Sequence, residues 1–278
     1  MNPPTANEKA AVACRRDGRV AYLELARPEI HNAFDDQLVA ELTAALEGLA
    51  GDERVTAVVL TGRGQTFSAG ADLNWMRRMA EAGKAENQAD AQKLAALLRI
   101  LNYFPRPTIA RVNGSAYGGG VGLVACCDIA IGVEHAKFAL SEVRLGLVPA
   151  VIAPYVLAAI GGRQARRYFV SGEVFDAKTA LRLELLHECV PAADLDAAVG
   201  RVLHWLVKGG PQAQREAKRL ALRCAGRQPA ESLKQDQEHA ALIARLRAAP
   251  EAQSGIAAFL AQKPPPWAPP PEDGAADV

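Results

Sequence analysis

Two glycine-rich loops and one glutamate hold the residues best suited to chemistry. The first loop is Phe67-Ser68-Ala69-Gly70-Ala71-Asp72, and the second is Asn113-Gly114-Ser115-Ala116-Tyr117-Gly118-Gly119-Gly120. Each follows a short apolar run that reads as a strand and precedes a helix-like stretch. Glycine lets a ligand lie against the main chain, and a helix N-terminus adds positive potential there. The two loops can therefore aim two backbone N–H groups at one carbonyl oxygen. Glu142 follows at a third junction of the same kind. Two donors plus a carboxylate suit proton chemistry beside a carbonyl, with no metal or tightly bound cofactor required.

Strand and helix patterns supply the frame. Val20 to Leu25 alternates like a strand and stops at Arg27-Pro28-Glu29. Leu38, Leu42, Leu46 and Leu49 recur at helical spacing within 35–49. Val55 to Leu60 is a continuous apolar run, the mark of a strand buried on both faces. The stretch 73–101 reads as helical, with a polar middle at Glu81 to Asp90 that looks mobile. Thr108 to Val112, Ile129 to Ile131 and Lys137 to Leu140 read as strands, Val121 to Cys127 as a buried helix, and Pro149 as a helix start. Strands alternating with helices predict an α/β fold with parallel strands. From Ala177 onward the strand signal fades, and four helices are expected near 194–207, 211–224, 230–248 and 251–260. The expected organisation is a loose lead (1–11), a core (12–190), a helical region (191–263) and a Pro-rich tail (264–278), extended or disordered.

Bulk properties narrow the classes. In 278 residues, 32 basic and 31 acidic side chains give a net charge of +1, which speaks against a general nucleic-acid or membrane-surface role. Cys14, Cys126, Cys127, Cys189 and Cys224 lack zinc spacing and suggest a reducing compartment. With no 18-residue apolar stretch and no leader-like apolar region, a cytoplasmic protein is expected. Gly62-Arg63-Gly64 follows a strand, but Phe67 stands where a dinucleotide fingerprint needs its third glycine.

Arg27-Pro28 with Asn32-Ala33-Phe34, then FSAGADLNWM (67–76), NGSAYGGGVGLVACCD (113–128) and FALSEVRLGLVPA (138–150), resemble the enoyl-CoA hydratase/isomerase, or crotonase, superfamily. The resemblance runs from about residue 12 to 263, and around 141–155 and 165–169 it is similar to bacterial methylglutaconyl-CoA hydratases of leucine catabolism. It implies a spiral of ββα units followed by C-terminal helices that trimerise, trimers often pairing into hexamers. It also implies an acyl-CoA substrate, with coenzyme A entering only as part of that substrate. The N–H groups of Ala71 and Gly119 would form the oxyanion hole. Arg27, Ala33, Ala69, Gly70, Asp72, Leu73 and Gly118 would line the coenzyme A and acyl site. Phe259 and Lys263 match an aromatic and a lysine that relatives supply from a neighbouring subunit.

One departure bears on the reaction. Hydratases of the family commonly carry two glutamates; the second aligns with Glu142, but the first falls on Gly122. A hydratase with one acid/base and a Δ3,Δ2-enoyl-CoA isomerase using that same Glu142 both remain open, as does a non-catalytic or RNA-binding relative. Arg144, Arg77 and Arg78 are candidates to meet an acyl carboxylate. Asp128, Glu134, Asp72 and His31 read as capping, pairing or turn residues. His187-Glu188 reads as part of a turn, in which Leu183-Glu184-Leu185 replaces an expected glycine.

Overall fold

The computed structural model describes residues 10–269. Most of the expected lead, and Pro270 and Pro271 of the tail, lie outside the described residues. The chain opens with an antiparallel hairpin of β1 (Val12–Asp17) and β2 (Val20–Leu25). β1 was not expected: it is an edge strand whose last four residues are exposed, so its sequence lacks alternation. Next comes α1 (Asp36–Ala50), whose buried Leu38, Leu42, Leu46 and Leu49 are the predicted stripe. Asp35 caps it by accepting from the Leu38 N–H, a cap worth about 1 kcal/mol.

Three strand pairs then follow, each split between two sheets. They are β3 (Ala57–Gly62) with β4 (Thr66–Ser68), β5 (Thr108–Val112) with β6 (Ser115–Tyr117), and β7 (Ile129–Val133) with β8 (Lys137–Ala139). After the first pair come α2 (Leu73–Glu81) and α3 (Lys84–Asn102); after the second, α4 (Gly119–Cys126); after the third, a short 3-10 turn (Ser141–Leu145) and α5 (Ala153–Ser171). This is a spiral of ββα units. Its large sheet has the order β1-β2-β3-β5-β7-β10 and its small sheet β4-β6-β8-β9, where β9 is Phe175–Asp176 and β10 is Glu188–Val190. From β2 to β10 the large sheet is parallel. All six residues of β3 are buried, so the apolar run is continuous rather than alternating.

Helices α6 (Ala177–Arg182), α7 (Leu195–Leu206), α8 (Pro211–Cys224), α9 (Pro229–Arg247) and α10 (Pro250–Leu260) complete the chain. α9 packs along α3, tied by Arg99 to Asp236 (2.8 Å) and Tyr103 to Ser232 (2.7 Å). The packing of α10 on the 3-10 turn needs two glycines. A methyl at Gly146 would lie 2.9 Å from Ala252 N, and one at Gly255 would lie 2.7 Å from Leu145 O.

Four local expectations are corrected. The polar middle of 73–101 is not one helix with a loose centre: the helix breaks at Ala82-Gly83, and Asn87, 1% exposed, donates to Met79 O and Ala82 O, both at 2.9 Å. Pro149 does not start α5; the helix begins at Ala153, with Pro154 in its first turn. Glu184 itself takes the left-handed conformation (φ 67°) of the glycine that the turn lacks. Residues 264–269 do not extend away from the core but fold back, with Trp267 against Gly255.

Candidate active site

The two loops meet through their glycines. Gly70 has φ 85°, and a methyl there would sit 3.0 Å from Tyr117 O; one at Gly120 would sit 2.9 Å from Ser68 Cβ. Neither contact leaves room for a side chain, so the loops lie against each other. Ala71 pairs with Phe34 as a lone parallel bridge. In that bridge Phe34 N donates to Gly70 O (2.6 Å) and Asp72 N donates to Phe34 O (2.8 Å). Alternation along an extended segment then turns the Ala71 N–H to the opposite side. Gly118, at φ 49°, is the N-cap of α4, so Gly119 carries the first N–H that the helix leaves without an acceptor. The Ala71 and Gly119 N–H groups donate to no acceptor among the described residues, and both residues line one cavity.

Glu142 stands on the 3-10 turn after β8, and a methyl at Gly118 would be 3.3 Å from its Oε1. Its Oε2 is shut off from solvent and has no hydrogen-bond partner among the described residues. Burial pushes the carboxyl up to about 7, against a smaller opposing hydrogen bond from its own backbone N–H. A carboxyl poised there can exchange a proton in either direction near neutral pH. Gly122 lies under this site with no space for a second acid: a methyl there would be 2.4 Å from Ile152 Cγ2. Glu142 is the one carboxylate among the described residues lining the cavity.

The cavity holds about 1160 Å³. Its walls are largely apolar, from Trp75, Met76 and Met79 on α2, Leu94 on α3, Ile243 on α9 and Ile256 on α10. Ala69, Gly70 and Gly118 also line it, as do Phe259 and Lys263 of the same chain. Arg27, Ala33, Asp72 and Leu73 do not line it. Arg27 forks onto Asp35 (Nη2 to Oδ1, 2.7 Å) and donates to Ala33 O (2.8 Å), which braces the loop beneath Phe34. Asp72 caps α2 by accepting from the Asn74 and Trp75 N–H groups. Leu73 is 52% exposed.

Of the three arginines expected near an acyl carboxylate, Arg144 lines the cavity from an exposed position. Arg78 pairs with Asp36, and Arg77 donates to Asn74. Asp128 accepts from Thr108 N (2.8 Å), Thr108 Oγ1 (2.9 Å) and Lys218 Nζ (2.8 Å), and is a pairing residue. Sequence reading missed Ile152 and Arg247 on the cavity wall. Ile152 is a single apolar residue in a turn, and Arg247 lies 157 positions from its partner Asp90, so no local pattern marks either.

The spiral fold and the paired N–H groups define a crotonase-type enzyme, and comparison with known proteins agrees. The model of the enoyl-CoA hydratase/isomerase family matches residues 15–270, and the chain belongs to that family. It is 31% identical to the 2,3-dehydroadipyl-CoA hydratase of Escherichia coli over 258 residues, 90% of this chain and 95% of that one. It is 30% identical to a short-chain-enoyl-CoA hydratase of Clostridium acetobutylicum over 213 residues, covering 74% and 79%. Among solved structures, an enoyl-CoA hydratase from Shewanella pealeana superposes with a TM-score of 0.76 at 42% identity, covering 94% of this chain and 97% of that one.

Proposed function

We propose that this enzyme adds water across the double bond of an α,β-unsaturated acyl-CoA, with Glu142 as the single acid/base. The observation that carries the reading is the buried Glu142 Oε2, without a hydrogen-bond partner among the described residues, in one cavity with the Ala71 and Gly119 N–H groups, which donate to none of them. Glu142 takes a proton from water as the water oxygen bonds to Cβ. The π electrons move onto the thioester oxygen, held by the Ala71 and Gly119 N–H groups. The enolate then collapses, and Glu142 returns the proton to Cα. Each N–H of such a pair typically contributes about 3 kcal/mol to the barrier reduction. The substrate we favour is 3-methylglutaconyl-CoA or a related branched acyl-CoA. Support comes from the wide cavity with cationic side chains on its wall, and from a relative named for hydrating a dehydroadipyl thioester.

One observation favours a second reading. The apolar Ile152 fills the space where a second acid would stand, and a single carboxylate is enough to move one proton from C2 to C4 of a 3-enoyl thioester. Following the ultraviolet absorbance of the conjugated thioester with 3-methylglutaconyl-CoA, crotonyl-CoA and a 3-enoyl-CoA in parallel separates the two. Falling absorbance, fastest with the branched substrate, supports the hydratase. Rising absorbance with the 3-enoyl substrate alone makes the enzyme an isomerase.

The reading includes assembly as a trimer or a pair of trimers, supported by the exposed apolar side chains of Trp205 on α7, Val207 just after it, Leu220 on α8 and Leu233 on α9. Sedimentation velocity tests it, and a monomer at micromolar concentration would refute it.

A further inference from the structure

A charged side chain stands among the apolar walls of the cavity. Arg247, at the C-terminal end of α9, is 12% exposed and lines the same space as Trp75, Met79, Leu94 and Ile243. Its Nη1 donates to Asp90 Oδ2 and to Asn87 Oδ1, both at 3.1 Å, and its guanidinium lies 5.2 Å from the centre of the Trp75 ring. Trp75 Nε1 donates to the other Asp90 oxygen at 3.0 Å. Both hydrogen bonds thus come from one nitrogen of the guanidinium, while the Trp75 ring packs against the group. Among the described residues the Nε and Nη2 hydrogens have no acceptor, yet neither atom is shut off from open space. A fixed fork with free donors faces the cavity.

Structural need alone accounts poorly for this arrangement. A buried ion pair is often no more stable than an apolar pair of the same volume, because desolvating both charges costs several kcal/mol. Burial opposes the charge on both partners, raising the Asp90 carboxyl and lowering the Arg247 guanidinium. An enzyme for plain fatty acyl chains would gain by an apolar wall here.

We propose that Arg247 is a specificity-determining residue that binds a carboxylate at the far end of the acyl chain, so that the preferred thioesters carry an ω-carboxyl group. The inference rests on the acyl-CoA reading above and deepens it. A carboxylate matches the planar fork of a guanidinium, and a bond made in a dry cavity outweighs one at an exposed rim. Arg144, also on the cavity wall but exposed, is the weaker partner for that reason.

The test is calorimetric binding of glutaryl-CoA and butyryl-CoA, which carry the same coenzyme A and undergo no turnover. The wild-type enzyme should bind glutaryl-CoA at least ~10-fold more tightly, the low end for one charge-assisted hydrogen bond. Arg247→Gln should erase that preference, and Arg247→Lys should keep part of it. No preference in the wild type, or an undiminished one in Arg247→Gln, overturns the proposal. A variant that only melts earlier with its preference intact shows a structural role and also overturns it. If Arg247→Gln does not fold, the double variant Arg247→Gln/Asp90→Asn removes the stranded carboxylate. Comparing glutaryl-CoA with its ω-amide on the wild type needs no variant: equal affinities overturn the proposal. Crotonyl-CoA hydration reads the parent function separately. An enzyme that hydrates nothing yet prefers glutaryl-CoA would refute the hydratase and leave Arg247 in its role.

Discussion

Gly122 and Ile152 compete for one volume. A methyl on Gly122 would lie 2.4 Å from Ile152 Cγ2, 3.0 Å from its Cβ and 3.5 Å from Leu98 Cδ2. Overpacking of this kind costs about 1–3 kcal/mol even when neighbours relax. Gly122→Glu alone should therefore lower the melting temperature, and Ile152→Ala in the same chain should recover part of the loss. The two substitutions should couple by more than about 0.5 kcal/mol in a double-mutant cycle of chemical denaturation. Strict additivity would mean that the two residues do not share this space.

Glu142→Gln keeps the shape of the side chain and removes its proton chemistry. Turnover should fall at least ~100-fold, the low end for losing a general acid/base. The dissociation constant for butyryl-CoA should stay within about threefold, because the cavity walls are untouched. Near-full activity in this variant would move the chemistry to another residue.

The raised carboxyl of Glu142 sets the direction of both pH effects. Catalysis starts from the carboxylate, so kcat/KM should fall as pH drops through about 7. Stability runs the other way. The folded state holds this proton more tightly than the unfolded chain, so its contribution is intact below the ordinary glutamate value and is lost as pH rises from about 4.5 to about 7. At pH 8 the cost reaches about 3 kcal/mol. Glu142→Gln escapes it, so the melting temperature of the variant minus that of the wild type should widen between pH 5 and pH 8. A constant gap would show that burial does not perturb Glu142.

How much of this was legible in the sequence depended on the reach of each signal. The loops around Gly70 and Gly119, Glu142 and the α1 leucine stripe are local patterns, and each was read correctly as a local element. β1, β10 and the short β4 and β6 within the two loops were not: β1 is an exposed edge and the others have three residues each, so their strand character comes from partners, not from alternation. Asp72 illustrates a second limit, because its motif is near the site while its side chain serves the first turn of α2. Ile152 and Arg247 were illegible because their roles exist only once distant helices pack together.

Helix α8 was read correctly as amphipathic, yet none of its residues is buried within this chain. One tie to the core is Lys218, whose side chain is 11% exposed and pairs with Asp128 at 2.8 Å. Asp128 also receives the Thr108 N–H and hydroxyl, so one carboxylate joins α8 to the start of β5. Lys218→Met leaves Asp128 with Thr108 as its only side-chain partner among the described residues and should destabilise the fold by about 1–3 kcal/mol. Hydrogen exchange should speed up in α8 before it does in β5, while kcat stays unchanged because neither residue lines the cavity. Exchange that rises equally in both elements would mean that the ion pair supports the whole core rather than this one helix.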